Sequence, residues 1–328
     1  MAYPPLPPPP PSDPPPVPAG WNASGAPLIP AAPDPVAGGA WTIRAPGRLG
    51  VVDTVEVGFS IWSRHWRQLA VLSFALSGWI TVVTALVDPG PTFRDVIEAI
   101  RTGVVTSELG EPSSLSQALG LLSSFVLLPI SIMATARIAL GTTVGSSPSN
   151  VAAVLYGLRR LPSTWWLYLA LFLTLLGVLI PVALLALLLG AAWDPLALSA
   201  GIPLAYVGLR ITAALIGAFV VDDARGFKAV ARSWALTEGR WWPTAGALLL
   251  AALLSIAATI VVLVAQLLIP GSGRVAAVVQ ASLAAGTNAI VGPIAYAVLA
   301  AVYLDLRARH VPTLPEQVRA LIEHHDPG

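Results

Sequence analysis

The chain of 328 residues is 55% hydrophobic and only 11% charged, with a mean hydropathy of +0.76. Soluble chains carry about 25% charged residues, so a soluble globule is excluded. A net charge of +1 makes no case for nucleic acid or an acidic substrate, and the lack of cysteine excludes disulfides, thiol nucleophiles and thiolate metal sites.

The chain opens MAYPPLPPPPPSDPPPVPAG, and fifteen of its 31 prolines fall within the first 36 residues. Such a run forms neither helix nor sheet, so residues 1–47 read as a disordered, extended tail. It serves as a tether or as a docking segment for a protein partner with a proline-binding module. It lacks the charged start and short apolar core of a cleaved secretory signal.

Six apolar runs follow, Leu69–Val87, Leu115–Leu140, Trp165–Leu189, Leu196–Val221, Pro243–Ile269 and Val275–Leu304. Each is close to the roughly 20 residues that a helix needs to cross the hydrocarbon layer. Only GAAWDP separates the third run from the fourth, and PGSGR the fifth from the sixth, so both pairs read as helical hairpins. Between the first two runs, Phe93, Val96, Ile97, Ile100 and Val104 share a stripe suited to a short helix on the outer interface. Fourteen basic residues lie on one side of this arrangement, against Arg94, Arg101 and Arg274 on the other. Cytoplasmic loops retain arginine and lysine, which puts both termini in the cytoplasm of a multi-pass plasma (inner) membrane protein. After residue 310, Thr313 and Glu316 form a capping box for a short helix in the cytoplasmic tail 311–328.

Three of the runs are preceded by the same pattern. An amphipathic segment ends in basic residues, tryptophans follow, and an apolar span begins. The segments are VVDTVEVGFSIWSRHWRQLAVLS, NVAAVLYGLRRLPSTWWLYLALF and FKAVARSWALTEGRWWPTAGALLL. Their apolar stripes are Val51, Val55, Phe59, Trp62 and Trp66, then Val151, Val154, Leu155 and Leu158, then Phe227, Val230, Ala231 and Trp234. In the third, Arg225, Lys228 and Arg232 form an opposing basic face, and such a helix lies in the headgroup plane against anionic lipid. Trp66, Trp165, Trp166, Trp234, Trp241 and Trp242 are the expected interface anchors. The expected fold is an all-α membrane protein of six transmembrane helices in three hairpins, each preceded by an amphipathic interfacial helix, over residues 48–310.

At Leu209–Leu250 the chain resembles the membrane domain fused to some bacterial glycerophosphoryl diester phosphodiesterases, which also has stand-alone relatives. The matching residues are Arg210, Asp222 or Asp223, and Ala229 with Arg232, Ser233, Trp234, Leu236, Gly239 and Trp242. A second match is the ending at Tyr303, Asp305, Leu306, Arg307 and Arg309. The resemblance implies membrane architecture without catalysis, because the phosphodiesterase chemistry resides in a separate soluble barrel that this chain has no room for.

Arg210 stands inside the fourth run, where a charge is costly unless it pairs, snorkels or faces water. Asn288 and Gln280 in the sixth run, or a lipid phosphate, are its candidate partners. Either an interhelical hydrogen bond or a substrate or headgroup site would account for it. Asp222, Asp223 and Asp305 fall at the span ends that also carry Arg137, Arg307 and Arg309, an expected ion-pair cluster locking the hairpins or a site for a cation or phosphate. Pro129, Pro181, Pro203 and Pro293 read as kinks. The four histidines form no metal pattern, and no HExxH, GxSxG or Walker loop is present. No enzyme activity, cofactor or metal is therefore expected.

Overall fold

The computed structural model describes residues 49–89, 97–98, 101–102, 113–143, 148–189, 194–269 and 273–310. The chain divides into the units Met1–Ala37 and Gly38–Gly328, and all described residues lie in the second. The proline-rich tail, the C-terminal tail helix and most of the outer-loop stripe fall outside them, although Ile97–Glu98 and Arg101–Thr102 are helical.

In chain order the helices are α1 (Val51–Val87), α2 (Ser114–Thr143), α3 (Asn150–Leu189), α4 (Asp194–Thr212), α5 (Leu215–Val220), α6 (Phe227–Leu236), α7 (Trp241–Leu267) and α8 (Arg274–His310). No strand occurs among the described residues. Five helices are long and apolar enough to cross a membrane, namely α1, α2, α3, α7 and α8. The protein is an all-α membrane-embedded chain. Helix α8 is its axis: 61% of its most apolar window is buried, against 11% for α3, and it packs on α1, α2, α5 and α7.

The fourth apolar run does not form one helix. It breaks at Ala213–Ala214 into α4 and α5, with Ala214 at φ −116° and ψ 3°. The cause is a side chain inserted into the helical ladder. The Ser233 hydroxyl donates to the Arg210 carbonyl at 2.9 Å and accepts from the Ala214 N–H at 3.1 Å. Those are the two groups that an unbroken helix would pair with each other.

Packing also differs from three self-contained hairpins. The most extensive pairings are α1 with α8 and α2 with α3, and both cross the expected unit boundaries. The three amphipathic segments do not form three separate interfacial helices either. The first runs into its span through a bend at His65 (φ −122°, ψ 16°), and the second continues through Pro162 without ending. Only the third is a free-standing helix, α6. Gly239 adopts φ +70° in the turn after it, a conformation that disfavours Arg64 and Ser163 at the matching positions of the other two.

One register is nevertheless common to all three. Aligned on Trp66, Trp165 and Trp241, the residues eight positions earlier are Gly58, Gly157 and Ser233, and those twelve earlier are Thr54, Ala153 and Ala229. All six are buried. Gly58 lies against the Val298 backbone, where an added Cβ would meet Cα at 2.7 Å, and Gly157 lies against the Ile130 carbonyl at 2.9 Å. Ser233 occupies the break in the fourth run. Small residues four apart thus dock each segment on a neighbouring helix, as close helix approach in lipid requires. The stripes read from the sequence mostly point away from these contacts. Phe59, Trp66, Val151, Leu155, Leu158, Phe227, Ala231 and Trp234 are exposed, while Val55 and Val230 turn inward.

Candidate functional site

The polar side chains gather in two connected places: the break in the fourth run, and the arginine-rich end where α5, α6 and α8 meet.

At the break, Arg210 is buried and its guanidinium is engaged on three sides. Nε donates to Thr237 Oγ1 at 3.2 Å, Nη1 to the Tyr206 hydroxyl at 3.0 Å and Nη2 to the Trp234 carbonyl at 2.7 Å. The Trp234 ring lies beneath it, 4.0 Å from Cζ to centroid. Trp234 belongs to the last turn of α6, whose carbonyls lack helical partners, so Arg210 acts as a cationic cap there. The expected pairing with Gln280 or Asn288 does not occur. Gln280 exchanges hydrogen bonds with Gln266 across α7 and α8, through Nε2 to carbonyl distances of 3.3 and 3.4 Å, and Asn288 is exposed. The physical reason is that α6 folds back beneath the break and reaches Arg210 first.

At the arginine-rich end, the loop between α5 and α6 holds Asp222 and Asp223, with Asp223 at φ +50°. Asp222 accepts from Arg232 Nε at 3.2 Å and Arg307 Nη2 at 3.1 Å. Asp223 pairs with Arg160 and with Arg225. Burial alone would raise the Asp223 pKa, but the two guanidiniums outweigh it and hold the carboxyl below its ordinary value. Asp305 accepts the Leu49 N–H at 3.0 Å and both Nε and Nη2 of Arg309, its neighbour one turn on. Arg137 is almost fully buried, with its guanidinium 4.3 Å from the Tyr156 ring centroid, and Arg160 approaches the same ring at 5.4 Å. Of the six residues expected to cluster, Asp222 and Arg307 pair directly, Asp223 is linked through Arg160 to the ring on which Arg137 lies, and Asp305 pairs with Arg309 on the same helix as Arg307, so the side chains involved come from four helices and a loop.

No family model matches this chain, and no curated protein or solved structure matches it. The resemblance to the phosphodiesterase-fused membrane domain rests on the residues quoted above.

Sequence reasoning missed Arg160, which ties α3 to the loop, together with Tyr206 and Thr237, and named Ser233 only within the family resemblance. Lining up the three junction tryptophans would have exposed Ser233 as the polar member of a set of small residues. Arg232 was expected at the lipid surface, but its bond to Asp222 places it in the ion-pair layer. Arg225 and Lys228 are exposed.

The tryptophans have two roles. Pro129 cannot donate to the Phe125 carbonyl four residues earlier, and the Trp165 indole N–H takes that place at 2.7 Å. The Trp62 N–H bonds to the Ile290 carbonyl, next to the Ala289 carbonyl that Pro293 cannot serve, at 2.9 Å. Trp166 packs on Gly226, whose φ of +54° and lack of Cβ make room for the indole. Trp241 leans on Tyr206, 5.2 Å between centroids. Even so, Trp66, Trp165, Trp166, Trp234 and Trp242 keep exposed ring faces, as interface residues do.

Among the described residues no group of three or more His, Asp or Glu side chains could hold a metal ion. Two concavities stand out, one between α1, α7 and α8 and the other beside Ser63–Gln68, and Arg210 lines neither.

Proposed function

We propose that this chain is a non-catalytic, six-span membrane scaffold of the plasma membrane, with both termini cytoplasmic, that associates with anionic lipid and recruits a protein partner through its proline-rich N-terminus. The observation that carries this reading is the engagement of Arg210 by Thr237, Tyr206 and the Trp234 carbonyl. The charge inside the fourth run holds α6 in place and leaves little of itself for a substrate. Lys228 and the outward tryptophan faces are directed instead at the surroundings, and Arg225 stays exposed while pairing with Asp223. The family resemblance supports the same architecture. In nanodiscs of phosphatidylcholine with or without phosphatidylglycerol, the chain should retain phosphatidylglycerol preferentially. Equal retention of both lipids removes the basis of the proposal.

The second reading is a transporter or lipid-handling protein, and the break at Ala213–Ala214 beside Arg210 favours it, because interrupted helices line transport sites. Uptake measured at matched amounts of folded protein separates the two. Loss of uptake in Arg210→Ala favours transport, and indifference favours the scaffold.

A further inference from the structure

The fourth run is apolar over the length of a span, yet it is broken, and the break separates two backbone groups one helical turn apart. In a continuous helix the Ala214 N–H would donate to the Arg210 carbonyl. Here the Ser233 hydroxyl stands between them, accepting from the first at 3.1 Å and donating to the second at 2.9 Å. When Ser233 withdraws, the two can pair directly, and neither is orphaned. The first amides of a helix lack partners within it, so those of α5, from Leu215, gain carbonyl partners in α4 at the same step. The backbone of the fourth run is thus satisfied in two arrangements, one broken and one continuous.

Helix α6 holds Ser233 in place, and α6 is built to turn. It is flanked by Gly226 and Gly239 at φ +54° and +70°, values that glycine adopts freely and other residues rarely do. A backbone pivot therefore stands at each end. Phe227, Ala231 and Trp234 on its outer side are exposed. Arg232 ties α6 to Asp222, but its side chain is 40% exposed, and such a pair opposes rotation only weakly. The strong restraint is Arg210, whose Nε and Nη2 hold Thr237 and the Trp234 carbonyl at the C-terminal end of α6. Its bond to Tyr206 stays within α4 and survives a movement of α6. A guanidinium inside an apolar run is costly without partners, so Arg210 biases α6 toward the position seen.

We propose that α6 is a latch with two states. In the closed state Ser233 sits in the break and Arg210 caps α6. In the released state α6 turns between its two glycines, Ser233 leaves, and residues 194–220 become one helix, longer than the roughly 20 residues that a crossing needs. The fourth span is then continuous, and Arg210 keeps Tyr206 but gives up its acceptors on α6. The latch goes beyond the scaffold and transport readings and depends on neither, since it rests on the break and on the helix that fills it.

The test is amide hydrogen exchange, read by mass spectrometry on the full chain in nanodiscs. In the closed state Ser233→Ala leaves the Arg210 carbonyl and the Ala214 N–H orphaned, and release is the way to pair them. The amides of residues 215–217 should then exchange roughly ten-fold more slowly and those of Phe227–Leu236 roughly ten-fold faster, a change of the size that one hydrogen bond supplies. Arg210→Leu frees α6 by a different route and should give the same pair of opposite shifts. Arg232→Gln should leave both segments within a few-fold of wild type. Opposite shifts in either of the first two variants support the latch. Parallel loss of protection in both segments of both variants overturns it, because Ser233 and Arg210 are then ordinary structural contacts. Unchanged exchange in both variants overturns it as well.

Discussion

Asp222 bonds to Arg232 and Arg307, and the Arg307 side chain is only 8% exposed. Removing one partner of a buried pair leaves an uncompensated charge, which costs about 3–5 kcal/mol. Asp222→Asn should therefore lower unfolding stability in detergent by about 3 kcal/mol, read from a denaturant titration. Asp223 is more exposed, and solvent screening makes its pairs weaker. Its carboxyl titrates below its ordinary value, so its contribution is complete above that value of 3.8 and fades as pH falls through the lower folded pKa. The stability gap between wild type and Asp223→Asn should stay constant from neutral pH down to about pH 5 and close in stronger acid. A gap that widens on acidification would contradict the pairing. The sequence announced these carboxylates by placing them at the span ends beside arginines. It did not announce the partner of Arg210, because that arginine is reached by a helix that folds back from further along the chain.

At the scale of elements, hydropathy locates the five long helices and leaves the inward faces unmarked. Gly58, Gly157 and Ser233 carry almost no hydropathic signal, yet each is buried against a neighbouring helix. The break at Ala213–Ala214 was equally silent, since neither proline nor glycine stands there and its cause lies nineteen residues downstream in Ser233. Gly58→Ala and Gly157→Ala press a methyl group into backbone and should destabilise by about 1–3 kcal/mol each. Gly177→Ala makes a fitting control, because open space surrounds that position and helix propensity alone should stabilise it by up to about 1 kcal/mol. Ser233→Ala orphans the Arg210 carbonyl and the Ala214 N–H, at about 1–3 kcal/mol. Guanidine denaturation of the four variants orders them. Equal behaviour of Gly58→Ala and Gly177→Ala would refute the shared docking register. Trp165→Phe keeps a ring but frees the Phe125 carbonyl, so it should cost about 1 kcal/mol.

For the whole molecule, we propose that three copies of one docking register, seated on α8, on α2 and on the break in the fourth run, present their outer faces to the headgroup layer of a single leaflet. Two copies continue directly into their spans and one is a separate helix, so the likeness lies in the buried contacts and not in the secondary structure. The chain has no cysteine, which permits single labels at chosen sites. Phe59, Leu158 and Trp234 occupy the same position in the three copies, and all are exposed. Nitroxides placed by Phe59→Cys, Leu158→Cys and Trp234→Cys can be ranked in depth by paramagnetic relaxation in nanodiscs. All three labels should report headgroup depth in the same leaflet. One label in bulk water, in the hydrocarbon centre or at the opposite leaflet would contradict it.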